Sequence, residues 1–453
     1  MKEKIKLRLS LPLYLVLTIS VLLTFVLKSH NQPGLISYWL DLPNLPFTQE
    51  FHVTLGWHKQ DTNFIITIGG RVNGNTSPEV LMFNTVTNQY RFLNPLPIPL
   101  ERAGGFILRD SIFVVGGSTN SGNNFGNNIF KLDLTSTAPW IIKNNFPINI
   151  GEITYSTAAL SDNIAYVVGG SDGVNALNNA FVYNASTNNW SLASPLPTTG
   201  KYGGGLAIAD DSTLIFVGGR NAGNISSQMY KGRIDNLNPA LISWTSSPQY
   251  PAGQIYYLGV WGAKDGNVFF TGGSSSVYTQ RENIRTSNKT YRYNSSTESF
   301  DTLSDKPTPV SHSQIYGFDA NPIPPPNYYK IYAPGGNNGS ALDSHEVLIV
   351  IDTNVSYILP VSSEVPGDYY LSQNYPNPFN PVTTITFGIH HDDKVSLKVY
   401  DIRGREVALL VNERLAKGIY KVKFYGLNIA SGVYFYKLIT EEFADIRKMV
   451  LLK

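Results

Sequence analysis

The sequence predicts an all-β chain: six copies of a four-stranded unit, followed by a small antiparallel β-sandwich. Three observations carry this. Six Gly-Gly doublets each close a short apolar run, at a spacing of roughly 50 residues that marks a large internal repeat. An aromatic residue follows each doublet at a similar distance, behind a strand and a turn. The last part of the chain abandons this rhythm for strict apolar/polar alternation, the signature of half-buried strands.

The doublets are Gly69-Gly70 (FIITIGG), Gly116-Gly117 (SIFVVGG), Gly169-Gly170 (IAYVVGG), Gly218-Gly219 (TLIFVGG), Gly272-Gly273 (NVFFTGG) and Gly335-Gly336 (KIYAPGG). The runs before them are β-branched and aromatic with little alternation, which suits strands buried on both faces. Glycine at the end of such a strand permits positive φ and close approach of a neighbouring backbone. The aromatic column is Tyr90, Trp140, Trp190, Trp244, Phe300 and Tyr357, placed to pack across an outer strand and seal one unit to the next. Several units then carry a Pro-rich corner (NPLPIP, SPLPTT, DKPTP), where proline leaves the hydrogen-bonded ladder. Ser161–Trp190 is the cleanest copy, with every column filled.

These three columns in register resemble the kelch family, whose repeats are the blades of a β-propeller. The resemblance covers residues 35–360 and implies a six-bladed propeller. Its sixth unit lacks a clean outer strand. SYWLDLPNLP (Ser37–Pro46) has the aromatic-then-Pro form of such a strand without a preceding doublet. The expectation is therefore that Trp39 supplies the outer strand of the last blade and removes the exposed edges. The competing reading gives that job to Val355–Pro360, with Tyr357 as the aromatic.

The flanks differ in kind. Lys2, Lys4, Lys6 and Arg8 precede an uncharged apolar run from Leu9 to Leu27, the form of an export signal over 1–34, with an uncleaved membrane anchor as the alternative. A linker is expected at 361–369. From 370 to 453, segments such as VSLKVYDI, IYKVKFYG and VYFYKLIT predict an Ig-like β-sandwich, with turns at Arg403-Gly404 and Ser431-Gly432. This tail resembles the C-terminal sorting domain (Por secretion tail) of proteins exported by the type IX secretion system of Bacteroidetes and relatives. The matching segments are NYPNPFNP (Asn374–Pro381), VYDIRGREV (Val399–Val407), ASGVYFYKL (Ala430–Leu438) and KMVLLK (Lys448–Lys453). The residues that the resemblance marks as the sorting signal are Asn374, Pro376, Asn377, Pro378, Asn380, Pro381, Gly404, Gly432 and Lys453. It implies the type IX machinery as a partner and a secreted or outer-surface location. A plain Ig-like spacer is the alternative.

Composition narrows the chemistry. The chain of 453 residues has a formal net charge of +2 and only 15% charged residues, with no basic cluster beyond the first eight residues, which argues against nucleic acid as partner. There is no cysteine, so disulfides, thiolate metal sites and the Cys–Tyr copper centre of galactose-oxidase-like propellers are excluded. No Asp-box, GxSxG elbow, Walker loop or HExxH is present. Asp343-Ser344-His345-Glu346 and His390-His391-Asp392-Asp393 read as polar loop and hairpin turn before they read as metal sites. No metal or cofactor is expected.

A propeller's ligand usually sits over the central channel. Two loop columns face it. The first, opening each inner strand, reads His52, Arg102, Tyr155, Tyr202, Tyr256 and His312. The second, after each doublet, reads Arg71, Ser118, Ser171, Arg220, Ser274 and Asn337. Tyrosine faces suit sugar rings, and guanidinium forks suit carboxylate or phosphate. The candidate ligand-binding residues are thus His52, Arg71, Arg102, Tyr155, Tyr202, Arg220, Tyr256 and His312; the alternative is that Arg102 and Tyr155 only brace neighbouring blades. The reading is a binding module for a carbohydrate or protein ligand. The competing one is a carbohydrate-active enzyme, such as a lyase or an epimerase similar to the six-bladed sialic-acid mutarotases, with Glu101 or Glu152 beside Arg102 as base.

Overall fold

The computed structural model describes residues 30–32, 35–119, 124–143, 146–153, 157–222, 224–276, 285–319, 328–352, 358–362, 366–380, 382–426 and 429–452. The expected export signal falls almost wholly outside them, as do Tyr155, Tyr357, Pro381 and Lys453. The described residues form strands and turns without helix.

Six antiparallel meander sheets surround a central channel. Blade 1 runs through Val53–Lys59, Thr62–Ile68, Val80–Asn84 and Gln89–Phe92, from channel to rim. Blade 2 is Gly104–Leu108, Ser111–Val115, Ile129–Asp133 and Ile141–Ile142, and blade 3 is Thr157–Ala159, Ile164–Val168, Ala180–Asn184 and Asn189–Ala193. Blade 4 is Tyr202–Ile208, Thr213–Asn221, Met229–Ile234 and Ile242–Ser247, and blade 5 is Tyr256–Gly262, Asn267–Ser274, Thr290–Asn294 and Ser299–Thr302. The apolar runs before the doublets are the second strands, and Ser111–Val115 is buried at every residue because both its faces meet a neighbouring blade.

Blade 6 joins the two ends of this region. Its inner strands are Tyr316–Asp319, Tyr328–Pro334 and His345–Asp352, and its outer strand is Leu35–Asp41. The register runs from Leu35 opposite Asp352 to Asp41 opposite Glu346. The Trp39 reading therefore holds. His30–Gln32 extends this sheet one strand further, ahead of the boundary expected at 35.

Four outer-strand aromatics share one device. The indole N–H of Trp140 donates to the Asn94 carbonyl (2.8 Å), Trp244 to Ser194 (2.9 Å) and Trp39 to Ser304 (2.9 Å). The Tyr90 hydroxyl donates to the Pro43 carbonyl at 2.7 Å. In each case the acceptor lies in the corner that follows the previous blade's outer strand, so the aromatic latches blade to blade. The doublets act at the other end. The N–H of Gly70, Gly170, Gly219 and Gly336 reaches the next blade's corner carbonyl at 2.7–2.9 Å. Only glycine fits: at Gly218 φ is +67° and a Cβ would lie 2.3 Å from the Ile255 carbonyl oxygen.

The tail is a sandwich of two four-stranded sheets. One pairs Ile358–Ser362, Gly418–Tyr425, Val382–Ile389 and Tyr370–Leu371; the other pairs Glu406–Leu415, Asp393–Asp401, Gly432–Ile439 and Ala444–Leu451. Ile358–Ser362 thus belongs to the sandwich, not to the propeller or a linker, and the boundary expected at 360 is corrected to lie before this strand. Inward residues Val395, Leu397, Val399, Val422, Tyr436 and Leu438 form the core, as the alternation predicted.

The NYPNPFNP segment is stitched to the final strand. Asn374 is buried, its side-chain amide donating to the Pro376 carbonyl (3.0 Å) and Thr383 Oγ1 (2.8 Å). Phe379 N donates to Val450 O, Leu452 N donates to Phe379 O, and Asn377 Oδ1 accepts from Val450 N, all at 2.9 Å. Pro376, Pro378 and Asn380 stay exposed on this frame. Gly404 (φ +75°) closes a turn built on Asp401, and Gly432 opens the strand opposite Leu451.

Candidate functional site at the channel mouth

The inner strand of each blade is entered by a short segment, and equivalent residues of those segments form a ring around the axis. Phe51 N donates to His312 O (3.1 Å), Arg102 N to Phe51 O (3.0 Å), Ile153 N to Arg102 O (3.1 Å) and His312 N to Tyr257 O (3.2 Å). The ring position is occupied in turn by Phe51, Arg102, Ile153, Gly203, Tyr257 and His312. All but Ile153 have φ between 51° and 64°. The left-handed conformation turns each residue toward the axis so that its backbone can pair with the next.

The residue before each ring position pairs with the residue after a doublet. The pairs are Glu50–Arg71, Glu101–Ser118, Glu152–Ser171, Tyr202–Arg220, Tyr256–Ser274 and Ser311–Asn337. The second column read from the sequence is thus in register at all six blades. The first column is not. Arg102 and His312 are ring residues, Tyr202 and Tyr256 sit one place earlier, and His52 one place later. His52 is fully buried, packed against Gly70 and Gly335 below the mouth.

Three ring side chains pack on one another at this end of the channel. Phe51 lies 4.2 Å from the His312 ring and edge-on to Tyr257 at 5.7 Å, and Tyr257 lies 4.4 Å from His312. All three are at most 6% exposed. The Arg102 and Arg71 guanidinium carbons lie 4.7 and 5.3 Å from the centre of the Phe51 ring. On the opposite rim Arg220 lies over Tyr202 (5.0 Å) and Tyr256 (5.5 Å).

Three carboxylates lie beneath these arginines. Glu101, 2% exposed, takes both Nε and Nη2 of Arg71, the latter at 2.9 Å, and has Arg102 Nε at 3.7 Å. Glu50 accepts from Asn337 Nδ2 at 2.6 Å. Glu152 accepts from the Tyr257 hydroxyl. Burial raises the pKa of Glu50 and Glu152 against the pull of Asn337 and Arg71 on the first, and of Arg102, Tyr257 and Arg220 on the second. Burial opposes the charge of Arg102, but Tyr257 and the three glutamates around it outweigh that and hold its pKa above the usual value. Burial, and then Arg102 and Arg71, push the His312 pKa far down, so that this imidazole is neutral, with Nδ1 on the Ser311 hydroxyl at 2.8 Å.

The arrangement is layered: acids below, guanidiniums above. Arg71 and Arg102 keep 25% and 28% of their side chains exposed while Glu101 keeps 2%. Sequence reasoning missed Glu50, Phe51 and Tyr257 as members of the site. Gly203 held the signal: it is the one glycine among the six ring residues, five of which take a positive φ, and aligning every blade on it gives the true register.

Residues 58–273 match the family model of the KLHDC2/KLHL20/DRC7 kelch-repeats domain, and 373–452 match the secretion system C-terminal sorting domain. The chain is a kelch-repeat propeller with a sorting domain. Among curated proteins, this kelch chain is 25% identical over 169 residues to Kelch-like protein terF of Aspergillus terreus, and 26% identical over 161 residues to Kelch-like protein 38 of Homo sapiens. These alignments take in 35% and 34% of the chain and span 36% and 27% of those relatives' own lengths. The solved structure of YjhT superposes with a TM-score of 0.52 at 14% identity, covering 67% of this chain and 95% of that one, a likeness of fold. The sorting domain marks the kelch protein for secretion or cell-surface export by the type IX system.

Proposed function

We propose that the exported propeller is a binding module whose arginine mouth takes an anionic ligand, an acidic saccharide before a protein. The observation that carries this is the layering of charge: Arg71, Arg102 and Arg220 keep partial exposure while Glu50, Glu101 and Glu152 are buried below them. With Arg71 held on Glu101, an approaching carboxylate meets the exposed parts of the Arg102 and Arg220 guanidiniums. Tyr202 offers a half-exposed ring beside Arg220, a surface suited to a pyranose face. The test is calorimetric titration of the whole chain with glucuronic acid, N-acetylneuraminic acid and neutral glucose. The acids bind and glucose does not, and Arg220→Ala weakens the acids at least tenfold. Equal affinity for glucose, or an unaffected Arg220→Ala variant, overturns the reading.

One observation favours a second reading, a carbohydrate-active enzyme. Glu152 is a buried carboxyl with a raised pKa, hydrogen-bonded by Tyr257 beneath two arginines, the environment of a general acid or base. NMR following anomer exchange of the bound acid decides: acceleration abolished in Glu152→Gln supports catalysis, and an unchanged rate with wild type leaves binding alone.

A further inference from the structure

We infer a second ligand site at the opposite end of the channel, one that takes a short neutral saccharide. Among the described residues Phe51, Tyr257 and His312 pack together at the first mouth, and the channel below them runs toward the far face. Its interior is a cavity of about 140 Å³ walled by all six inner strands, from Thr54 and Gln314 down to Trp261 and Tyr316. It continues into a wider cavity of about 320 Å³, with which it shares Ala159, Ile208, Trp261, Gly262 and Tyr316. That size is at the small end of ligand pockets, which run to roughly 300–1,000 Å³.

The wall chemistry is divided. Trp261, Tyr316 and Phe318 supply aromatic surface on blades 5 and 6, and glycines make room for it. The Trp261 ring lies where a Gly317 side chain would be, with a Cβ there only 2.5 Å from it, and Tyr316 overlies Gly56 in the same way. The Trp261 indole N–H has no hydrogen-bond partner among the described residues. Across the cavity stand Asp210 and Asp211 of blade 4, with Lys264 and His58 at the rim. Asp210 accepts at Oδ1 from the Ser212 N–H (2.7 Å) and hydroxyl (3.1 Å), which fixes its carboxylate in the cavity wall. His58 places Nδ1 2.7 Å from the Asn63 side-chain oxygen, a contact that orients its ring at the rim.

Flat aromatic surface facing fixed carboxylates and one ammonium matches a pyranose: its C–H face stacks on the indole, and its hydroxyls donate to carboxylates and accept from lysine and the indole N–H. Two aspartates against one lysine disfavour an anionic sugar, the reverse of the arginine mouth. The two ends of one channel thus select ligands of different charge.

The test uses the full chain and three neutral disaccharides, maltose, cellobiose and lactose, in calorimetric titration with saturation-transfer NMR. At least one binds saturably. Its affinity falls at least tenfold in Trp261→Phe and in the folded double variant Asp210→Asn/Asp211→Asn, and is unchanged in Arg220→Ala. Glucuronic acid does not compete. The inference is overturned if none of the three saturates, if neither cavity variant weakens binding, or if Arg220→Ala abolishes it.

Discussion

The Trp39 latch gives a quantitative test of how the ring is closed. The indole N–H lies 2.9 Å from the Ser304 carbonyl, and the ring packs against Lys306, whose ammonium is 5.6 Å from its centre. Trp39→Phe keeps most of the packing and deletes the donor. The net loss is about 1 kcal/mol, the usual worth of one neutral hydrogen bond. Trp39→Ala also removes the half-buried ring. A fully buried Trp costs about 3–5 kcal/mol on truncation to alanine, so partial exposure places this variant near ~3 kcal/mol. Trp140 and Trp244 make the same bond in blades 2 and 4, so Trp140→Phe and Trp244→Phe are internal standards expected near the same ~1 kcal/mol. The assay is urea denaturation of the full chain, paired with hydrogen exchange. In Trp39→Ala, amides of Leu35–Asp41 and His345–Asp352 should lose protection ahead of the other blades, because these strands face each other in register. The reasoning fails if Trp39→Phe is neutral while Trp140→Phe is not, or if protection in Trp39→Ala falls evenly across all blades.

Further outcomes rest on the same geometry. Gly218→Ala meets both a positive φ and a carbonyl 2.3 Å from its Cβ, so it should cost more than the ~1–2 kcal/mol of the left-handed conformation alone, whereas Gly404→Ala, with φ +75° and open space around it, should cost only that; denaturation midpoints compare them. Burial lowers the pKa of His52 and of His345 from 6.5 to about 3, so their contribution is intact above pH 6.5 and is lost as pH falls toward 3 while the unfolded chain takes up protons. At pH 5 each costs about 2 kcal/mol, and His312 adds to the same trend, so denaturation midpoints should drop steeply between pH 6.5 and 4. Arg71→Gln takes the two-pronged partner from Glu101, 2% exposed, and leaves it Arg102 at 3.7 Å and the Thr76 hydroxyl at 3.2 Å, so it should destabilise by about 2 kcal/mol, with Arg71→Gln/Glu101→Gln recovering most of it. Deleting 358–453 should abolish surface delivery while leaving a soluble propeller. Deleting 370–453 should do the same but leave Ile358–Ser362 as an unpaired, aggregation-prone strand, visible by size-exclusion chromatography.

How much of the molecule was legible in the sequence depends on where each signal is stored. Blade strands and doublets are written in side-chain pattern and composition, and they were found at every blade. Trp39 could be placed because Ser37–Pro46 has the aromatic-then-Pro form that follows Tyr90, Trp190 and Phe300 in their units. The ring position is different. It is set by backbone φ and by bonds between blades, and a Phe, Arg, Tyr or His there carries no local sign of either; only Gly203 does. Counting from the Pro corners therefore slipped the first column at His52, Tyr202 and Tyr256. Of the acids, Glu101 and Glu152 are named by the sequence only as alternative bases beside Arg102 and Glu50 is not, because the three converge only once three blades are assembled. Residues 358–360 are assigned by the sequence to the propeller and 361–362 to the linker because Tyr357 keeps the repeat's aromatic spacing, while the partner of Ile358–Ser362 lies far ahead in Gly418–Tyr425.

The closing pair Leu35–Asp352 also stands where the propeller passes on to the tail. The chain enters and leaves the propeller at one corner. That corner lies on the rim of the far face, since Leu35–Asp41 runs from there toward the Leu42–Phe51 segment that feeds the arginine ring. The strand that closes the ring is therefore also the place where the chain passes on to the sorting sandwich, so one edge of blade 6 carries both the closure of the propeller and its connection to the exported tail.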